Sequence, residues 1–120
     1  MQLLSGSARL KLFLMLRRTL EPALLREHLA NHLRWMIDAE KRGVIFLSGP
    51  IAKRDGGTHL DGLTIIRCAG LADAEALAAE DPLVKIGAVA FEMREWTANE
   101  GAINVTVTLS DSGASFQQPR

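Results

Sequence analysis

The chain has 120 residues, enough for one domain with a core of moderate size and too few for two. Lysine plus arginine and aspartate plus glutamate number 14 each, so a formal net charge of zero provides no general field for binding nucleic acid. The single cysteine, Cys68, excludes an intrachain disulfide and fits a reducing compartment, from which we expect a cytoplasmic protein.

The N-terminus combines apolar and basic residues and has no acidic residue before Glu21, a bias found in transit peptides. Lys11 interrupts its apolar run, which is far shorter than the roughly 20 residues of a membrane-spanning helix. We therefore predict no membrane partner. Residues 1–9 are interpreted as a flexible leader, and residues 10–17 (LKLFLMLR) as the first strand of a single domain over residues 10–109.

The segment TLEPALLREHLANHLRWMIDAEKRG carries start and stop signals of a helix. Proline stands at a potential first helical position, and Lys41, Arg42 and Gly43 close the segment. Between these ends, apolar residues recur every three or four positions, which predicts a stripe packed against a sheet. The stripe consists of Leu25, Leu29, Leu33 and Met36.

The following segments alternate between strand and helix patterns. Residues 44–51 (VIFLSGPI) and 63–69 (LTIIRCA) predict two strands of a hairpin, joined by the glycine-rich loop AKRDGGTHLDG. LADAEALAAEDP predicts a second helix ending at Pro82, and AVAFEMREW predicts a fourth strand. Residues 103–109 (INVTVTL) predict an extra strand before a polar tail over residues 110–120.

This order predicts an α+β fold of the ferredoxin-like split βαβ type (βαββαβ) with an extra C-terminal strand. Both helices cover one face of such a sheet. The first strand nevertheless carries large apolar residues on both of its faces, for example Phe13 on one and Leu14 on the other. A second apolar face invites a partner, so we expect a homodimer that closes a dimeric α+β barrel.

His32 and Asp81 are the candidate catalytic residues. His32 lies at helical spacing with the apolar stripe, on its sheet-facing side or margin, and Asp81 precedes Pro82 at the end of the second helix. The two helices lie side by side in this fold, so the two side chains could meet. A carboxylate beside an imidazole fixes its tautomer and stabilises the imidazolium, as a general acid or base requires. The alternatives are a packed histidine at the edge of the core and an aspartate that only ends a helix.

Three other features favour structural interpretations. His28 and His32 stand four residues apart, but without a His-Glu-x-x-His pattern an exposed His28 with no metal is favoured over a metal site. His59 falls in a glycine-rich loop that opens no helix, which is the wrong context for phosphate binding. Cys68 lies in an apolar run and is interpreted as a buried thiol.

Two longer segments resemble the YciI-like (YCII-related) proteins. They are HLRWMIDAEKRGVIFLSGPI and DGLTIIRCAGLADAEALAAEDPLVKIGAVAFEMREW. The pattern comprises a helix with a histidine and an aromatic residue, a strand ending in a small residue and Gly-Pro, and an A-x-D-P segment before a strand that ends near a tryptophan. The resemblance covers residues 10–96.

This resemblance implies a dimeric α+β barrel in which His32 and Asp81 match the family's paired histidine and aspartate, its proposed active-site dyad. Most members have no assigned reaction, and one group is linked to removal of chloride from a chlorinated hydroxyquinol. The leader and the strand after Trp96 depart from the shortest members.

Two main functions remain open, and a third and weaker one is an interaction module in which the strand over residues 103–109 pairs with another chain. In the first, a small cofactor-free enzyme uses His32 and Asp81 for lyase-type or isomerase-type proton transfer on a ring-derived or carbonyl metabolite. In the second, a dimeric accessory protein binds a small molecule, and the two residues form a structural pair. The fold does not decide between them. A solvent-reachable His32 beside Asp81 in a cleft favours chemistry, whereas full burial favours structure.

Overall fold

The computed structural model describes residues 10–55 and 61–102. The predicted leader, the loop residue His59, the predicted strand over residues 103–109 and the polar tail lie outside these ranges. Within them the chain forms four strands and three helices. Their bounds are β1 Leu10–Thr19, α1 Pro22–Lys41, β2 Ile45–Ile51, β3 Asp61–Ile66, α2 Leu71–Ala79, α3 Pro82–Lys85 and β4 Val89–Ala98.

The four strands form one sheet in the order β2-β3-β1-β4, in which all neighbours are antiparallel. The connection from β1 through α1 to β2 leaves room for β3 between the two strands, as in a split βαβ unit. The α+β, ferredoxin-like order expected from the sequence is confirmed. Among the described helices, none is long and apolar enough to cross a membrane.

The core lies between the sheet and α2. On β1, Phe13 and Met15 point to the helix-covered face and are fully buried, because side chains alternate between the two faces of a strand. Ala74 and Ala78 meet them from α2 with no exposed surface. The short side chains of these two alanines, one helical turn apart, let the helix approach the sheet closely.

The sequence prediction for the second helix was wrong at its end. α2 ends at Ala79, and a separate four-residue helix, α3, follows it. Leu83 of α3 is buried with Ala88 and Val89, and Leu24 and Leu25 of α1 pack against this cluster. The break occurs at Pro82 because proline lacks the N–H that would continue the hydrogen bonding of α2, whereas it is accepted at the start of a helix.

The apolar stripe of α1 does not close onto the sheet along its whole length. Leu29 and Leu33 remain 39% and 49% exposed and line a cavity between α1 and the sheet. Two smaller differences concern the loop and His28. Asp61 and Gly62 belong to β3 rather than to the loop, and His28 is half-buried rather than exposed.

Candidate active site

Asp81 begins α3 instead of simply ending α2. It is the N-cap of α3, and its Oδ1 atom accepts a hydrogen bond of 2.9 Å from the backbone N–H of Leu83. Aspartate is among the preferred residues at this position because its side chain accepts from the free N–H groups of the first turn. The residue is fully buried. Since a carboxylate can accept several hydrogen bonds, the cap leaves Asp81 with further accepting capacity.

His32 of α1 lies beside this carboxylate. Its Nδ1 atom is 2.8 Å from Oδ1 of Asp81. An ionised carboxylate only accepts hydrogen bonds, so Nδ1 carries a proton and donates it. In the neutral ring this leaves the lone pair on Nε2. The His32 side chain is 13% exposed, whereas that of Asp81 is 0% exposed.

Arg17 of β1 holds the other oxygen of Asp81, and sequence reasoning missed it. Its Nε atom donates to Oδ2 of Asp81 over 3.0 Å, and both side chains are buried. A signal existed in the sequence, because Arg17 is in phase with Phe13 and Met15 on the face that packs against the helices. An arginine that continues an apolar strand face needs a buried partner, and Asp81 is that partner.

The same guanidinium extends the network into the sheet. Nη1 of Arg17 donates to the Oγ1 atom of Thr64 over 2.5 Å, and this oxygen lies 2.7 Å from Oγ of Ser48. Nη2 approaches the sulfur of Met36 at 3.7 Å. Thr64 and Ser48 face each other across β3 and β2, which places their side chains on the same face of the sheet. One connected chain of contacts therefore runs from His32 through Asp81, Arg17 and Thr64 to Ser48.

A cavity of about 840 Å³ opens onto both ends of this chain. One wall is the apolar stripe of α1, and the opposite wall is formed by β2 and β3. The polar residues that line it include Arg17, His32 and Ser48. A volume of this size, with mostly apolar walls and a few convergent polar groups, is typical of small-molecule sites.

Trp35 lies next to the site, and Cys68 lies next to the core. Trp35 packs near the His32 ring, with ring centroids 6.3 Å apart, and its Nε1 atom is buried without an acceptor in the described part of the chain. Cys68 packs against the core, and burial raises the pKa of its thiol, which disfavours the reactive thiolate. Within residues 10–55 and 61–102, no three His, Cys, Asp or Glu side chains form a metal-binding group.

The electrostatic surroundings keep Asp81 ionised. Burial by itself would raise the pKa of its carboxyl group, but the hydrogen bond and charge of His32, the charge of Arg17 and the Leu83 N–H outweigh burial. The pKa of Asp81 is therefore lowered. Burial lowers the pKa of Arg17, and the neighbouring Asp81 opposes that effect. The ionised carboxylate of Asp81 thus remains the hydrogen-bond acceptor for Nδ1 of His32.

The lowered pKa of Asp81 predicts a specific loss of stability in acid. Its contribution is present above the unfolded-state pKa of about 3.9 and is lost as the pH falls through the lower folded-state value. We expect the difference in free energy of unfolding between wild type and Asp81→Asn to shrink as the pH falls below about 4. Urea unfolding of both proteins over a pH series measures this difference. A difference that stays constant down to the acid-unfolding limit would contradict it.

Comparison with known proteins shows the family of this chain. A model of the YCII-related domain family matches residues 12–97, most of the chain and nearly all of the described fold. The chain belongs to the YCII-related family. A comparison with curated protein sequences gives no match.

Among solved structures, this YCII-related chain is similar to the 5-chloro-2-hydroxyhydroquinone dehydrochlorinase of Burkholderia phenoliruptrix, determined in complex with 2,5-dihydroxybenzoquinone. The TM-score is 0.59 with 22% sequence identity, over 71% of this chain and 92% of that chain. At this level of identity, the likeness establishes the fold.

Proposed function

We propose that this YCII-related protein is a small cofactor-free enzyme in which His32 transfers a proton to and from a bound metabolite. The observation that carries the proposal is the unequal burial of the pair. Asp81 is sealed in the protein, whereas His32, hydrogen-bonded to it, lines an open cavity. A purely structural pair would have no need of the cavity, while a general base requires such an opening.

The geometry supports a simple division of roles. Nε2 of His32 takes a proton from a C–H or O–H group of the substrate, and the electron pair of the broken bond stays with the substrate. Asp81 accepts the hydrogen bond of Nδ1 and stabilises the imidazolium that forms. Returning the proton to a different atom gives an isomerisation. Departure of a leaving group with its bonding electrons gives an elimination.

The cavity supports a small ring-derived or carbonyl substrate. Its walls are largely apolar, which suits a ring, and polar side chains from all sides also line it, among them Arg17, His32, Ser48 and Asp61. The similar dehydrochlorinase acts on a chlorinated hydroxyhydroquinone. A reaction of the same type would remove a proton and a chloride ion, a step within the reach of one positioned base.

Incubating the protein with hydroxylated and chlorinated hydroquinones and with cyclic ketones in D₂O tests the proposal. Deuterium incorporation or chloride release above the uncatalysed rate, detected by NMR and by ion chromatography, is the expected result. Resonance shifts that show binding without either reaction would favour the alternative, a dimeric small-molecule-binding protein with a structural His-Asp pair. The heat-denatured protein is the control for catalysis by buffer.

We also propose that the active form is a homodimer. On the sheet face opposite the described helices, apolar side chains remain only half-buried within one chain. They are Leu14, Leu16, Leu63 and Ile65. Trp96 of β4, in register with Leu12 on that face, is 43% exposed. Sedimentation velocity should give twice the monomer mass, and Leu14→Glu should shift the protein toward monomer. A monomeric wild type at micromolar concentration would contradict this expectation.

A further inference from the structure

We infer that Ser48 is a binding residue of the same cavity, donating a hydrogen bond to a carbonyl or anionic oxygen of the substrate. The inference rests on the proposed function in that it takes the cavity as the substrate site. It adds a second polar contact, at the opposite end of the hydrogen-bonded chain from His32, and thereby a chemical requirement on the substrate.

The direction of the hydrogen bonds leads to this assignment. A guanidinium has donors and no acceptor, so Oγ1 of Thr64 must accept the bond from Nη1 of Arg17. Thr64 is 1% exposed, so solvent has little access to the hydroxyl hydrogen of Thr64 and is a poor acceptor for it. Among the described residues, the acceptor within reach of that hydrogen is Oγ of Ser48, at 2.7 Å. Thr64 thus donates to Ser48.

The hydroxyl hydrogen of Ser48 is then left to point away from Thr64. Ser48 lines the cavity and is exposed, so this hydrogen is available to a bound molecule. The buried positive charge of Arg17 polarises both hydroxyl groups in the same sense, which strengthens the outermost donor. The result is a preoriented donor that requires no rearrangement when an oxygen of the substrate arrives.

This donor complements the proton transfer proposed for His32. When Nε2 removes a proton next to a carbonyl group, the electron pair moves onto the carbonyl oxygen, and when it removes the proton of a ring hydroxyl, the pair stays on the oxygen and is shared with the conjugated ring. A hydrogen bond from Ser48 stabilises that oxygen, and no proton leaves the serine. The site would therefore select substrates in which the acidic proton is conjugated to an oxygen, and would bind rings without an oxygen poorly.

The test uses two small probes of similar shape, 4-nitrophenolate and nitrobenzene. We expect Ser48→Ala to weaken the binding of 4-nitrophenolate about 10- to 100-fold, as for a hydrogen bond to a charged group, and that of nitrobenzene less than twofold. The visible band of bound 4-nitrophenolate should also move to longer wavelength in the variant, because its oxygen loses a hydrogen bond. Thr97→Val, which removes an exposed hydroxyl group of β4 outside the cavity, is the matched control.

Thr64→Val tests the role of the hydrogen bond from Thr64 to Ser48. It should also weaken the binding of 4-nitrophenolate. The double variant with Ser48→Ala should bind no more weakly than Ser48→Ala alone, because Thr64 acts only through the hydroxyl group of Ser48. Should Thr64→Val fail to fold, with Arg17 left without its acceptor, Ser48→Ala at an exposed position still decides the question.

Three results would overturn the assignment: equal losses for both probes, unchanged affinity for 4-nitrophenolate, or no binding of 4-nitrophenolate by wild type at millimolar concentration. The outcome is separable from that of the proposed function. If turnover depends on His32 while Ser48→Ala binds 4-nitrophenolate normally, the assignment of Ser48 fails alone. If Ser48→Ala shows the expected loss and no reaction is found, the donor stands in a binding protein.

Discussion

Replacing His32 by alanine is expected to lower kcat/KM about a hundredfold to ten-thousandfold, the usual contribution of a positioned general base. The fold should survive the change. The His32 side chain is partly exposed at the cavity wall, and Asp81 keeps its hydrogen bonds from Arg17 and from the backbone of Leu83. Turnover of a substrate identified by the D₂O screen, with circular dichroism of both proteins, measures the two effects separately.

Two further variants distinguish a chemical role of His32 from a structural one. His28→Ala changes a half-buried histidine one turn earlier on α1 that does not line the cavity, and it should leave turnover nearly unchanged. In His32→Ala, added imidazole should restore part of the activity, because the enlarged cavity can hold the missing base. Turnover that survives the loss of His32 would contradict the proposal, as would equal losses in the two alanine variants.

The second large effect concerns stability. Asp81→Asn should lower the free energy of unfolding by about 3–5 kcal/mol, the typical cost of removing one partner from a buried ion pair. The change leaves the guanidinium of Arg17 buried without a countercharge, and its desolvation is no longer compensated. Urea unfolding at neutral pH, followed by circular dichroism, measures the difference.

The chain contains its own control for this prediction. Arg42 and Asp38 form an ion pair through the same atom types, Nε to Oδ2, at the same 3.0 Å. Their side chains are 49% and 67% exposed, against 7% and 0% for Arg17 and Asp81. Asp38→Asn should therefore cost about 0.5 kcal/mol or less. Similar losses in the two variants would show that burial does not set the strength of the Arg17 pair.

If Asp81→Asn does not fold, Arg17→Lys tests the same ion pair. Arg17→Lys retains the positive charge but loses the planar group that reaches Asp81, Thr64 and Met36 together. We expect an intermediate loss of stability, smaller than that of Asp81→Asn. A larger loss would place the main cost in packing of the arginine side chain rather than in its charge.

Sequence patterns predicted the elements and their order because the signals for them are local. Alternation in β1 and the apolar periodicity of α1 each depend on neighbouring residues, and the split βαβ order follows from the succession of elements. His32 and Asp81 were found by helical spacing and by family resemblance. That they form a hydrogen bond is a result of the structure.

The break between α2 and α3 shows where local signals were incomplete. Asp81 and Pro82, which follow the end of α2, also suit the start of a helix, since aspartate caps helices and proline favours their first turn. The sequence marked the boundary. The new helix is stabilised by the buried cluster of Leu83, Ala88 and Val89, because Leu24 and Leu25 of α1, distant in sequence, pack against that cluster.

By itself, then, the sequence determined the strand and helix pattern, the family and two polar residues that could meet. Tertiary structure alone decided the rest of the site. Arg17 lies 64 residues from Asp81 and 47 from Thr64, and no periodicity links them. An arginine near the end of a strand can point into the protein only if a carboxylate is buried there, because burial of an unpaired charge is too costly. Otherwise its side chain reaches solvent. The buried Asp81 supplies that carboxylate, and its ion pair with Arg17 places the hydrogen bonds that run through Thr64 to Ser48.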